Sequence, residues 1–198
     1  MAKIDLIRRR MDYYTIVKQI QSNIKNIKFN NGGKLVVCIV EFREMEEIIN
    51  VVNCILRIYK PSEIGLCIMH GELNKSFVKK NFSHMENILL INILNKNIVK
   101  TLTERHIRKT KECGCMPPLY NKLLKSSYFY KNLIAWEYVL IMQTDTVIFR
   151  KIDNYYFDFD YIGAPWGYTK NERGEYKSIP GGNGGFSLRK ISKMIETC

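Results

Sequence analysis

The residues most able to do chemistry stand in the last third of the chain. Gln143-Thr144-Asp145-Thr146 closes the apolar run Tyr138–Met142 and precedes Val147-Ile148-Phe149. An ionised carboxylate leaving a buried strand is costly unless it is paired or binds a cation. A hard divalent ion, Mg2+ or Mn2+, is one such partner, because these ions combine few protein carboxylates with phosphate oxygens. A turn cap or an ion pair with Arg150 is the other.

Downstream lies Asp158-Phe159-Asp160-Tyr161-Ile162-Gly163-Ala164-Pro165-Trp166, and then Pro180-Gly181-Gly182-Asn183-Gly184-Gly185-Phe186. Four of the twelve glycines fall between positions 181 and 185. Such a cluster lets the backbone take positive φ and come close to a ligand. A tight hairpin would need only one or two glycines. It is no Walker loop, since no Gly-Lys-Ser/Thr follows, and no dinucleotide fingerprint after a first strand. Trp166 offers a face for stacking on a sugar ring, or is a core indole.

The elements that must position these residues follow from hydrophobic period. Spacings of three and four from Ile4 through Ile7, Met11, Tyr14, Val17, Ile20, Ile24 and Ile27 predict an amphipathic helix over 4–28, in an N-terminal unit of residues 1–30. Asn30-Asn31-Gly32-Gly33 ends it. Continuous apolar runs at 35–40, 64–69 and 138–142 read as strands buried on both faces, and 88–93 reads as a further strand. Helical faces at 44–59, 73–82 and 120–133 separate them. Strand–helix alternation predicts an α/β domain over 34–198, with a mostly parallel sheet flanked by crossover helices. Ligands of such open sheets bind beyond the carboxyl ends of the strands. That rule makes Glu41–Arg43, His70-Gly71 and Gln143–Thr146 neighbours on one rim.

Composition narrows the class. The 198 residues are 46% hydrophobic and 25% charged, which excludes a mostly disordered chain. No apolar run is long enough for a membrane-spanning helix, and the charged N-terminus is not a secretory signal. The expectation is a soluble, cytoplasmic protein (host cytoplasm if viral). Of six cysteines, Cys38, Cys54 and Cys67 lie in apolar segments, and Cys113-Gly114-Cys115 has no second pair at zinc spacing. Reduced thiols are expected. The net charge of +12 is concentrated in residues 1–40 and 71–135 and is largely scattered lysine. It shows no nucleic-acid-binding motif, so no specific nucleic-acid partner is expected.

Read together, Ile39-Val40-Glu41-Phe42-Arg43, His70-Gly71-Glu72-Leu73-Asn74, Tyr120-Asn121-Lys122-Leu123-Leu124 and Gln143-Thr144-Asp145-Thr146 occur in that order. Asp160–Trp166 and Gly182–Arg189 follow. Over roughly residues 35–195 the chain resembles the DUF5672 family of bacteria, fungi and large DNA viruses, whose members are taken for glycosyltransferases of GT-A-like, Rossmann-like fold. The resemblance implies transfer of a sugar from a nucleotide-diphosphate sugar to a glycan, protein or lipid acceptor. Glu41 and Arg43 would hold the nucleotide, with Arg43 on the diphosphate or base. His70, Gln143, Thr144 and Trp166 would complete the substrate site. Gly182, Asn183, Gly184 and Gly185 would line the sugar and acceptor pocket, with Asn183 as a hydrogen-bonding group.

Gln143-Thr144-Asp145 stands where GT-A enzymes carry their Asp-x-Asp metal motif. Gln143 replaces the first carboxylate, leaving Asp145 for a Mn2+ or Mg2+ ion. Asp158 and Asp160 are the remaining acidic candidates for a catalytic base, and Asp145 and Asp160 are the expected catalytic pair. The single motif carboxylate also suits an alternative: a non-catalytic remnant that binds nucleotide sugars or glycans.

Overall fold

A computed structural model of the chain describes residues 27–93, 117–165, 168–170, 172–178 and 182–198. The expected N-terminal helix therefore lies outside the described residues, except for its last two positions. These are not helical. Lys28 forms a parallel bridge with Glu86, and the amide of Phe29 donates to the Glu86 carbonyl at 2.9 Å. Ile27 and Phe29 are buried in the domain core, so the stretch just before Asn30 belongs with the sheet domain.

The first apolar run forms β1, Gly33–Val40. It is followed by α1 (Glu47–Ile58), β2 (Gly65–His70), α2 (Lys75–Phe82) and β3 (Leu89–Asn92). Then come α3 (Pro117–Leu124), α4 (Ser127–Lys131) and β4 (Trp136–Met142). The last third holds β5 (Tyr161–Pro165), a hairpin of β6 (Tyr168–Lys170) and β7 (Tyr176–Ser178), then β8 (Gly182–Lys190) and α5 (Ile191–Thr197).

Six strands make one sheet in the order β3-β2-β1-β4-β8-β5. It is a mixed sheet, which corrects the mostly parallel one expected. β1–β2, β2–β3 and β1–β4 pair in parallel, while β4–β8 and β8–β5 pair antiparallel. The reason is topological. After β5 the chain leaves by the carboxyl rim and returns through the β6–β7 hairpin without a crossover helix. It re-enters from the same rim, and so must run backwards. The glycines from Gly182 on lie in the first half of that returning strand.

Burial explains the layers. Successive strand residues point to opposite faces. Leu35, Val37 and Ile39 pack with Ile48, Val51, Val52 and Ile55 of α1 and with Val78 and Phe82 of α2. Val36, Cys38 and Val40 pack with Leu123 and Leu124 of α3, Phe129 and Tyr130 of α4, and Ile191 of α5. The helix expected over 120–133 is broken at Ser126, whose backbone is extended (φ −111°, ψ 138°) and whose hydroxyl donates to the Leu123 carbonyl at 2.6 Å. The break turns Tyr130 inward, where its hydroxyl donates to the Leu124 carbonyl at 2.9 Å.

Cys38, Cys54 and Cys67 are buried free thiols, and burial pushes the Cys38 thiol well up. Cys113 and Cys115 lie outside the described residues. Among the described residues, no helix is long and apolar enough to cross a membrane.

Candidate functional site

β1, β2 and β4 run in parallel, so Glu41, His70 and Gln143 come to one rim, with β4 inside the sheet between β1 and β8. Glu41 is buried, at 8% exposure, yet it is well satisfied. Its Oε1 accepts from the backbone amides of Phe42 and Arg43, both at 3.0 Å, and from Arg43 Nε at 2.8 Å. Oε2 accepts from Arg43 Nη2 at 2.8 Å and has a long contact with the Thr144 hydroxyl at 3.4 Å. Burial alone would push this carboxyl up. The hydrogen bonds and charge of Arg43, with the Phe42 amide, more than reverse that and hold it below the ordinary glutamate range. Glu41 is thus an ionised clip that shapes the turn after β1. Two guanidinium nitrogens of Arg43 are engaged in that clip.

Asn74 closes the neighbouring loop. It is fully buried. Its Nδ2 donates to the carbonyls of Glu41 at 2.8 Å and Arg43 at 3.1 Å, while its Oδ1 accepts from the Gly71 amide at 3.0 Å. One amide side chain therefore ties the end of β1 to the end of β2. His70 is buried with Nδ1 3.0 Å from the Gly71 carbonyl, which favours a proton on Nδ1. Gly71 sits against Phe42, where an added Cβ would lie 3.3 Å from the ring.

On the other side of the rim, the Gln143 amide donates to the Gly185 carbonyl at 2.8 Å, and the Gln143 carbonyl accepts from the amide and hydroxyl of Thr146. Asp145 stands at the tip of this turn and is exposed. The expectation of a carboxylate stranded in apolar surroundings is therefore corrected: the chain leaves the sheet by two residues before Asp145 and lifts it into solvent. Arg150 pairs with Asp153 at 3.3 Å rather than with Asp145.

The glycine segment does its work differently from the expectation. Between β5 and β8 the register jumps, Gly163 pairing with Ser187 and Ala164 with Asn183, so Gly184, Gly185 and Phe186 form a bulge in β8. Among the described glycines, those with positive φ are Gly33 and Gly174, not Gly184 or Gly185. What Gly184 provides is space. A Cβ there would stand 3.0 Å from Arg189 Nη2.

Arg189 is the residue that sequence reasoning passed over. It is 8% exposed on the α3–α4 face. Nη1 donates to the Tyr130 hydroxyl at 2.7 Å and reaches the Leu124 carbonyl at 3.5 Å; Nε donates to the Ser187 hydroxyl at 3.1 Å. Nη2 points along the sheet to Gly184, towards the rim. The Tyr120 phenol lies buried beside Gln143, in the field of Arg189 and Asp145; burial pushes its pKa up, well beyond the usual range for tyrosine, so it stays protonated. Sequence pattern gives Arg189 little signal, because it stands beside Lys190 at the end of a glycine-rich strand. Asn74 carries no signal either, because an asparagine before a helix reads as a cap.

Asp160 is not brought together with Asp145. It precedes β5, and its carbonyl accepts from the Lys190 amide at 2.8 Å, at the sheet end opposite the rim. Trp166 lies outside the described residues. Gly182 and Asn183 open β8 on the rim side, paired with Pro165 and Ala164.

The rim's donor set does not fit a metal site built by the protein. Among the described residues, Asp145 is the carboxylate at the turn after β4, Glu41 is committed to Arg43, and no group of three or more His, Cys, Asp or Glu could hold an ion. On the opposite face, an apolar cavity of about 470 Å3 lies between Ile148–Ile152 and the Leu140, Ile162 and Phe186 side of the sheet.

Residues 116–198 match the family model described as protein of unknown function (DUF5672). This match supports the family assignment. It covers α3 to α5, and so Gln143–Thr146, the glycine segment and Arg189, but not Glu41 to Asn74. The description states no activity. No curated protein matches the chain.

Proposed function

We propose that the chain is a GT-A-type glycosyltransferase that takes a nucleotide-diphosphate sugar at the rim of its sheet. The observation that supports this most is the convergence of the turns after β1, β2 and β4, fixed to one another by Glu41 and Asn74 and lying beside the bulged glycine segment of β8. A polar rim at the carboxyl ends of parallel strands is where open α/β sheets bind nucleotides. The DUF5672 match over the second half adds to the reading, because it includes the turn and the glycine segment that the donor would contact.

In this reading the exposed Arg43 side of the turn faces the nucleotide, and the bulged glycine backbone lies against the sugar. Asp145 is the carboxylate that would meet a Mn2+ or Mg2+ ion carried in with the diphosphate. The described residues add no second ligand, so no step is routed through an ion. The acceptor would be a glycan, a protein or a lipid.

A thermal-shift panel of nucleotide-diphosphate sugars tests the reading, since a ligand of the native state raises its melting temperature. A shift with one nucleotide and its sugar derivatives supports it. No shift with any of them, at concentrations well above ordinary donor affinities, refutes it. Transfer to acceptor, or slow release of free nucleoside diphosphate, then separates an enzyme from a binding remnant.

A further inference from the structure

The rim has its own cation. Arg189 is more than nine-tenths buried and has no carboxylate partner among the described residues. A buried guanidinium is costly unless its charge is compensated. Here three hydrogen bonds occupy Nε and Nη1, all to neutral oxygens, and the guanidinium lies over the Tyr161 ring, 5.2 Å from its centroid, so no full negative charge meets it. Nη2 donates no hydrogen bond among the described residues and ends beneath Gly184, which has no side chain to cover it. Within the field of Arg189 stands the buried Tyr120 hydroxyl, with the side chain of Gln143 beside it. A cation with neutral donors beside it suits an anionic oxygen.

We propose that Arg189, reaching the rim beneath Gly184, binds a phosphate of the donor's diphosphate directly, with Tyr120 and Gln143 as flanking donors, so that binding needs no metal ion. This rests on the reading that the rim takes a nucleotide diphosphate. It also gives the substitution of Gln143 for the first motif carboxylate a physical sense. An acid at position 143 would place a negative charge beside the same phosphate, whereas an amide donates to it. As the sugar bond breaks, the electron pair stays on the leaving phosphate oxygen, and a fixed cation there stabilises that charge.

The test is calorimetric titration of inorganic pyrophosphate, and separately of the nucleoside diphosphate, in EDTA. Wild type is expected to bind both. Arg189→Gln should weaken both at least tenfold while keeping the native circular dichroism spectrum, and Arg189→Lys should recover part of the loss. A folded Arg189→Gln protein that binds pyrophosphate like wild type overturns the inference and leaves Arg189 as a tie between α4 and β8. Should Arg189→Gln not fold, Gly184→Ala decides. It keeps the charge but places a methyl group against Nη2, so weaker pyrophosphate binding supports the inference and unchanged binding overturns it. If wild type binds the nucleoside diphosphate with Mn2+ but neither ligand in EDTA, the inference falls and the proposed function stands. Binding of neither ligand under any condition removes both.

Discussion

Asn74 Nδ2 donates to the Glu41 carbonyl at 2.8 Å, joining across 33 residues the ends of two strands that the sheet only places side by side. The same side chain holds the Arg43 carbonyl and the Gly71 amide. Asn74→Ala removes three hydrogen bonds to backbone groups, one of them buried, so it should destabilise the fold by about 2–3 kcal/mol. That corresponds to a melting temperature lower by on the order of 5–10 °C for a domain of this size. Asn74→Asp should be worse, because a carboxylate would face two carbonyls. A scanning-calorimetry trace in which Asn74→Ala melts with wild type would show that the two turns are held by something else.

Glu41 makes stability depend on acid. Its folded-state pKa is depressed, chiefly by Arg43 acting against burial, so its stabilising contribution is complete at neutral pH. That contribution is lost as the pH falls below the ordinary glutamate range, roughly 4.3. Glu41→Gln should therefore be less stable than wild type by about 1–2 kcal/mol at pH 7, with a gap that narrows on acidification. Urea melts at several pH values measure it. A gap that is constant across pH would mean that the carboxylate charge plays no part.

Asp145 predicts opposite signs in two conditions. In EDTA its exposed charge only repels a diphosphate, so Asp145→Asn should bind pyrophosphate roughly two- to threefold more tightly, about the worth of one screened charge several ångströms away. If a Mn2+ ion comes in with the diphosphate, Asp145 is the carboxylate that would hold it. The variant should then bind nucleoside diphosphate on the order of tenfold more weakly than wild type. Stability should not fall, because the residue is exposed. Identical binding of variant and wild type in both conditions would make Asp145 a bystander of the turn.

At the opposite end of the sheet, Gly65 lies under the Trp136 ring, where an added Cβ would meet ring atoms at 2.5 Å. Gly65→Ala should cost about 2–3 kcal/mol through overpacking, since backbone of β2 and the indole of β4 must both shift. Gly174→Ala, whose position is open but has φ +78°, should cost about 1 kcal/mol for backbone reasons alone. Reversal of that order in denaturant melts would contradict the packing described here.

How much of this was legible in the sequence differs by element. β1, β2 and β4, with α1 and α2, are plain, because each of these buried strands is a continuous apolar run and each of these helices carries one apolar face. The shared rim of Glu41, His70 and Gln143 follows from that alternation. β5 and β8 escape notice because glycines and a bulge break their period, although β8 supplies both antiparallel pairings of the six-stranded sheet. The break at Ser126 is set by tertiary contacts of Tyr130, which local pattern does not contain. Asp145 looks buried when counted from its apolar neighbours, but two turn residues suffice to expose it. Asp160 looks near the glycine segment along the chain, yet a strand's length separates it from the rim. Arg189 hides within a motif dominated by glycine, and Asn74 behind the ordinary look of a helix start.

The central claim is that the rim formed by the turns after β1, β2 and β4 holds a nucleotide-diphosphate sugar. The most direct measurement is a crystal structure of the chain with the nucleoside diphosphate selected by the thermal-shift panel. The account predicts the nucleotide at the turn of Phe42 and Arg43, with its phosphates between the Gln143–Asp145 turn and Gly184 and one phosphate oxygen within hydrogen-bond distance of Arg189 Nη2. Nucleotide bound in the apolar cavity behind Ile148 and Phe186, or at the sheet end that carries Asp160 and Trp136, would contradict it.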